Sequence, residues 1–126
     1  MPKETPFLIA QFPHFSPESN TVDTTGLSEI IKNAFLLSMD NRLSDSKQGQ
    51  LSANARALRI QLQQLLGKIF DAGTAELDTA NATLKTVNKQ LKEALAAIEK
   101  VAKAIEQMGA LVKQLDTLLN IIGIVL

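Results

Sequence analysis

The chain has 126 residues, 45% of them hydrophobic and 21% charged, and its 13 basic residues balance its 13 acidic ones. This length fits one domain, and the zero net charge gives no basic field that would attract nucleic acid. The absence of Cys excludes disulfides and thiolate chemistry, and a single histidine, His14, nearly excludes a histidine metal site or a catalytic histidine pair.

Residues 1–26 are predicted to form an extended arm. All four prolines lie within the first 17 residues, and proline both fixes its own φ angle and favours extended backbone in the residue before it. The arm also carries apolar residues that are unusual in a freely solvated tail: Phe7, Leu8, Ile9, Phe12 and Phe15. We expect the arm either to pack on the helices of its own chain or to dock on a neighbouring subunit or partner.

Residues 27–126 are predicted to be a helical-bundle domain, beginning with two shorter helices at about 27–43 and 50–70. One helical face of the first contains Leu27, Ile30, Ile31, Ala34 and Phe35. A heptad seam in the second contains Leu51, Ala55, Leu58, Leu62, Leu65 and Ile69. Asp23 or Thr25 is a candidate N-cap of the first helix, and Asp45 with Gln48 resembles a weak capping box for the second. Gln61 is assigned to the polar surface.

The third predicted helix covers residues 74–122 and carries the strongest periodicity. One seam position recurs every seven residues at Leu77, Leu84, Leu91, Ile98, Ile105, Val112 and Leu119. A second lies three residues after each, at Ala80, Val87, Ala94, Val101, Met108, Leu115 and Ile122. An unbroken helix of this length would span roughly 73 Å at about 1.5 Å per residue.

The connection between the second and third predicted helices has two interpretations. Gly73 can close one helix in a left-handed cap while Thr74 caps the next, which favours a tight antiparallel turn. The alternative is one continuous helix with a stutter, because Leu66, Phe70, Gly73 and Leu77 are spaced by 4, 3 and 4.

The fold predicted from these elements is all-α. Apolar residues also flank the seam of the third helix, so its stripe is too wide for a two-stranded zipper. We expect a long antiparallel helical hairpin with coiled-coil-like packing, in which two shorter helices back one long C-terminal helix. A stripe covered on one side only predicts a homo-oligomer or an obligate protein partner. The predicted assembly seam consists of Leu77, Leu84, Leu91, Ile98, Ile105, Val112, Leu119, Val87, Val101, Met108, Leu115 and Ile122.

The last nine residues are almost entirely apolar, although chain ends are usually polar and frayed. Ile121, Ile124, Val125 and Leu126 are therefore predicted to be contact residues, together with Phe7, Phe12 and Phe15 of the arm. Docking into the bundle or across a subunit interface is the favoured role of this tail. Membrane contact is a less favoured alternative, since the segment is too short to span a bilayer.

The charged residues are scattered and predict no chemistry. No phosphate-binding glycine pattern, zinc spacing or calcium loop is present, so we expect no catalytic residue, no metal, no cofactor and no small-molecule substrate. The sequence favours a non-enzymatic structural or adaptor protein. The second hypothesis is that the protein is a membrane-active helical component, pore-forming or membrane-associated, which is kept soluble as a bundle. No signal peptide or spanning segment is evident, which favours the cytoplasm and leaves signal-independent secretion open.

Overall fold

The computed structural model describes residues 20–71 and 73–123, and these form helices joined by short links. The helices are α1 (Thr24–Ser38), α2 (Asp45–Leu65), α3 (Ala75–Ala96) and α4 (Val101–Ile121), with a 3-10 turn at Ile98–Lys100. The all-α prediction is confirmed, and no strand occurs in the described part of the chain. The contact residues predicted in the arm (Phe7, Phe12, Phe15) and in the tail (Ile124, Val125, Leu126) lie outside the described residues.

The four helices form two hairpins that lie side by side. α1 packs against α2, α3 packs against α4, and the hairpins meet where α1 contacts α3 and α2 contacts α4. The backbone amide of Asp23 donates to Oδ1 of Asn81 at 3.0 Å, and Nδ2 of Asn88 donates to the carbonyl of Gly26 at 2.9 Å. The later residue of α1 pairs with the later residue of α3, so these two helices run parallel. Because each hairpin reverses direction, α2 and α4 also run parallel.

The first helix lies earlier in the chain than the predicted range of 27–43, and it begins at Thr24, so the predicted extended arm over 1–26 is wrong for its last three residues. Asp23 is its N-cap, since Oδ1 accepts a hydrogen bond from the amide of Gly26 at 3.0 Å. It ends at Ser38, and the chain then turns because the carboxylate of Asp40 accepts from the backbone amide of Arg42 at 2.9 Å. Leu43 is buried, although it lies in this loop and not in a helix.

The second helix covers Asp45–Leu65, so the predicted range of 50–70 starts late and ends late. Its N-cap is Ser44, whose Oγ accepts from the amide of Lys47 at 3.2 Å, and the predicted capping box is therefore wrong. Gln48 instead donates from Nε2 to the carbonyl of Asp40 at 2.8 Å. The helix ends before Gly67, which has the left-handed φ of 77° that is typical just after a helix end.

Both interpretations of the link between the second and third helices need correction. Residues 66–71 and 73–74 are not helical, so the continuous helix is wrong. The antiparallel direction of the second and third helices is confirmed, but the turn is not tight, because the link between Leu65 and Ala75 crosses one end of the bundle and places α3 beside α1 instead of α2. Gly73 does have a left-handed φ of 83°, but it lies inside the link. Thr74 is the N-cap of α3, although its Oγ1 donates to the carbonyl of Asp71 and makes no side-chain cap.

The predicted long helix over 74–122 is wrong, because the chain folds back at Ala97. This residue has the extended angles φ −143° and ψ 98°, while its amide still donates to the carbonyl of Glu93 at 2.8 Å. The heptad seam continues through the break, and neither glycine nor proline marks it. Folding back lets the two halves of one apolar stripe cover each other, whereas a straight helix would leave much of its length without a partner helix.

Gly26 allows α1 to approach α3 closely. A Cβ at this position would lie 2.7 Å from Cδ2 of Leu84 and 2.5 Å from Oδ2 of the capping Asp23. We expect Gly26→Ala to lower the free energy of unfolding by about 1–3 kcal/mol, because the added methyl group overpacks the contact between α1 and α3. Gly49 is the matched control, because it lies in α2 with open space around its Cα.

Gly49→Ala is expected to raise the free energy of unfolding by about 0.5–1 kcal/mol through better helix propensity. Urea denaturation followed by far-UV circular dichroism measures both variants. Equal effects of the same sign at the two positions would contradict the close approach of α1 to α3.

Candidate interaction surface

The structure places most of the predicted assembly seam in the core of a single chain. Nine of its twelve residues are buried there, and the other three are half-buried. The buried ones are Leu77, Leu84, Leu91, Ile105, Leu119, Val87, Val101, Met108 and Leu115, and the half-buried ones are Ile98, Val112 and Ile122. A surface for partners therefore has to be sought mainly among other apolar residues.

Most of the large apolar side chains that remain exposed among the described residues lie near the two ends of the bundle, and Ile60, which is 53% exposed, lies within α2. We call the end that contains the start of α1 and the end of α2 the base. Leu66, Ile69 and Ile121 are 56%, 74% and 50% exposed there, and we name these three residues the basal patch. A second exposed set lies towards the opposite end, at Leu36, Met39 and Leu95.

The contact between α2 and α4 places two of the basal residues at one level. Nε2 of Gln61 donates to the carbonyl of Val112 at 2.9 Å and to Oδ1 of Asp116 at 2.8 Å. Leu66 lies five residues after Gln61, and Ile121 lies five residues after Asp116, along these parallel helices. Both side chains therefore emerge where α2 and α4 end.

Ile69 is held at the same end by the residue that follows it. The buried Phe70 donates from its backbone amide to the carbonyl of Asn20 at 2.7 Å, and Nδ2 of Asn20 donates back to the carbonyl of Phe70 at 3.3 Å. This pair ties the link after α2 to the first described residue of the chain. The heptad pattern predicts a seam role for Ile69, which is wrong because α2 has already ended at Leu65.

Gln61 is a structural residue that the sequence places incorrectly on the polar surface. Its side chain is only 3% exposed, and it bridges the two hairpins through Val112 and Asp116. A buried amide with these partners fixes how far α2 can slide along α4, because sliding would leave the donor unpaired. Other polar residues lie close to Gln61 in the sequence, so the polarity pattern of this helix does not distinguish the buried glutamine from the exposed ones.

Among the described residues, the carboxyl group with the most perturbed pKa belongs to an exposed loop rather than to a site. Nε and Nη2 of Arg42 donate to the carboxylate of Asp40 at 3.1 and 2.8 Å. These side-chain hydrogen bonds, supported by the Arg42 amide, lower the pKa of Asp40 from 3.8 to about 2, and the same contact raises the pKa of Arg42. The pair closes the turn between α1 and α2 and faces solvent.

The described residues show surface grooves, of which one of about 310 Å³ lies where α3, the 3-10 turn and the start of α4 meet. Among the described residues, no three His, Asp or Glu side chains come together as potential metal ligands. A surface groove of about 570 Å³ runs along α3, and all of its lining residues belong to that helix. The groove is lined by Lys85, Asn88, Lys89, Lys92, Glu93 and Ala96.

The basal patch is the more exposed of the two apolar sets at the ends of the bundle. Within residues 20–71 and 73–123, no helix combines the length and apolar character needed to cross a bilayer. Comparison of the chain with protein-family models, with curated proteins and with solved structures finds no match.

Proposed function

We propose that this protein is a non-enzymatic helical adaptor that self-assembles through the basal patch. The observation that carries the proposal is the exposure of Leu66, Ile69 and Ile121, each at least half accessible at one end of a bundle whose heptad residues are mostly buried within the same chain. Large apolar side chains exposed at one end of a domain typically mark a protein contact. A second copy offers the same aliphatic chemistry, and two such patches can meet across a twofold axis.

This proposal differs from the sequence-based hypothesis in where assembly takes place. The heptad residues of α3 and α4 are internal, so a contact between copies would not require the bundle to open. Folding and association would then be separate equilibria, and substitutions in the basal patch would weaken assembly without unfolding the chain.

The test is sedimentation velocity over a wide range of protein concentration. Ile69→Ser combined with Ile121→Ser is expected to weaken self-association by about tenfold or more, since burying one large aliphatic side chain contributes about 1.5–3 kcal/mol. The matched control combines Leu36→Ser with Met39→Ser near the opposite end, and it is expected to sediment like the unmodified chain. Far-UV circular dichroism verifies that both double variants remain folded.

Two outcomes would contradict the proposal. One is a chain that remains monomeric at every concentration, and the other is unchanged association in the basal variant. The membrane-active alternative is tested by co-sedimentation with vesicles of neutral and of anionic lipid. Binding that depends on Ile69 and Ile121, with no self-association in solution, would favour that alternative over the adaptor function.

A further inference from the structure

We infer that α4 can leave its own bundle and take the same place in a second copy of this chain, while α3 and α4 of each copy join into one straight helix over 75–121. The surface that binds the second copy is the face of α2 and α3 that α4 covers in the folded-back chain. The inference goes beyond the proposed function, because this exchange uses α4 and leaves the basal patch free.

The break between α3 and α4 requires little change of backbone to become helical. Ala97 has the extended angles φ −143° and ψ 98°, yet its amide keeps a helical hydrogen bond to the carbonyl of Glu93 at 2.8 Å. The next three residues already form a 3-10 turn, and Val101 has the helical angles φ −65° and ψ −28°. Alanine is also the best helix former, so rotation at Ala97 and relaxation of one turn are sufficient to straighten the helix.

The apolar seam keeps its phase across the break. Leu91, Ile98 and Ile105 are spaced by seven residues, as are Ala94 and Val101, so a straight helix would place all five on one face. In the folded-back chain Leu91 and Ile105 are buried, whereas Ile98 lies at the bend and is only half-buried. Straightening brings Ile98 into line with the seam, and a second copy supplies the partner helix that a single straight helix would lack.

The directions of the helices determine how two opened copies fit together. α3 runs from the base to the opposite end, and α4 returns from there. When α4 of a second copy takes this place, the two straight helices, each about 70 Å long at about 1.5 Å per residue, run antiparallel and cross near Ala97 on a twofold axis. The hydrogen bonds from Gln61 to the carbonyl of Val112 and to Asp116 then form between copies, so the exchange repeats contacts that already exist.

The exposed apolar side chains opposite the base fit this geometry. Leu36, Met39 and Leu95 lie towards that end and are exposed in the folded-back chain. In the exchanged dimer these ends of the two bundles face each other across the twofold axis, so the same three side chains of both copies come together. Their burial adds contacts that the folded-back chain does not have, while the basal patches lie at the two far ends.

The folded-back chain is favoured at low concentration. A short turn joins α3 to α4 and gives the two helices of one chain an effective concentration of order millimolar. The exchange therefore competes only when the concentration of the chain approaches this value. We expect folded-back chains at micromolar concentration and exchanged dimers after unfolded chains are refolded together at about 1 mM.

Crosslinking identifies which chain supplies α4, because the protein has no cysteine of its own. Thr79→Cys with Thr117→Cys places thiols on α3 and α4 at two exposed positions that line one surface groove. The full chain also carries Ile69→Ser and Ile121→Ser, so association through the basal patch is weakened. It is refolded from urea at about 1 mM, the dimer is isolated by size-exclusion chromatography, and a short bismaleimide bridges the thiols.

Denaturing electrophoresis of the bridged protein is expected to show covalently linked pairs of chains in the dimer fraction. Protein refolded at micromolar concentration is expected to show a link within one chain. The matched control is Glu29→Cys with Lys92→Cys, because Nζ of Lys92 lies 3.6 Å from Oε1 of Glu29 and both residues precede Ala97. This pair is expected to link within one chain in both fractions.

Ile98→Pro tests whether the exchange requires the straight helix. Proline at this position follows an extended residue in the folded-back chain, but in a straight helix it would remove a hydrogen bond and clash with the preceding turn. Ile98→Ala is the matched control, because it shortens the same side chain and keeps a good helix former. The yield of dimer from Ile98→Pro is expected to be at least about tenfold lower than from Ile98→Ala. Far-UV circular dichroism at micromolar concentration verifies that both variants are folded.

Four outcomes would overturn the inference. They are the absence of a dimer after refolding at about 1 mM, a dimer in which the bridge from Thr79 to Thr117 lies within one chain, equal yields of dimer from the two Ile98 variants, and covalent pairs of chains from the Glu29 and Lys92 control. None of them decides the proposed function, because association through the basal patch is weakened in this background. That function depends on the sedimentation of the Ile69→Ser, Ile121→Ser variant at concentrations where the chain is folded back.

Discussion

Glu106→Pro is expected to lower the free energy of unfolding by about 3 kcal/mol or more, whereas Ile98→Pro is expected to lower it by only about 1 kcal/mol. Glu106 lies within α4, where proline removes a helical hydrogen bond and clashes with the preceding turn. Ile98 begins the 3-10 turn after the extended Ala97. Extended backbone before proline and a first helical position are both compatible with the proline ring, so the remaining loss comes from the half-buried isoleucine side chain.

Urea denaturation of the two variants measures this difference. If the chain were straight from 74 to 122, Ile98→Pro would be an interior substitution, and its cost would equal that of Glu106→Pro. Equal destabilisation at the two positions would therefore contradict the fold-back at Ala97.

Leu84→Ala and Leu115→Ala are each expected to lower the free energy of unfolding by about 2–5 kcal/mol, because both side chains are fully buried and their removal leaves a cavity. The matched control is Leu36→Ala, whose side chain is exposed near the end of α1 and whose loss is expected to cost less than about 1 kcal/mol. Thermal unfolding followed by circular dichroism gives the midpoint of each variant.

The dependence on protein concentration shows whether the heptad residues pack within one chain. In the structure, Leu84 and Leu115 belong to the core formed by the four helices of that chain. The unfolding midpoint of the Ile69→Ser, Ile121→Ser variant, in which association through the basal patch is weakened, is therefore expected to stay constant when the protein is diluted. A midpoint of that variant that falls on dilution would place the seam between chains and would restore the assembly seam expected from the sequence.

Heptad periodicity predicted the buried side of the helices well. Leu77, Leu91 and Met108 are buried where the seven-residue spacing puts them, because a helix that repeats every 3.6 residues keeps such positions on one face. Asp23 was one of two predicted N-caps and is the one that the structure shows. These features depend on residues close in sequence, and local pattern is sufficient for them.

The ends and breaks of the helices were predicted less well, because they depend on contacts that are distant in sequence. Ala97 breaks a run of good helix formers, and nothing near it in sequence differs from an uninterrupted helix. Ile69 fitted a heptad seam but follows the left-handed Gly67, so it lies outside the helix and is exposed. Of the basal patch, only Ile121 was predicted as a contact residue.

Periodicity and composition were sufficient to predict an all-α protein and the apolar faces of its helices, and the lack of Cys and the single His excluded most metal and nucleophile chemistry. The number of helices in the described residues, the packing of α1 beside α3 and the exposure of Leu66, Ile69 and Ile121 became visible only in the folded chain. This is because a heptad specifies a face to be buried but not what buries it. Burial is non-directional, so the chain covers its longest apolar stripe with itself once a break at Ala97 allows the two halves to meet.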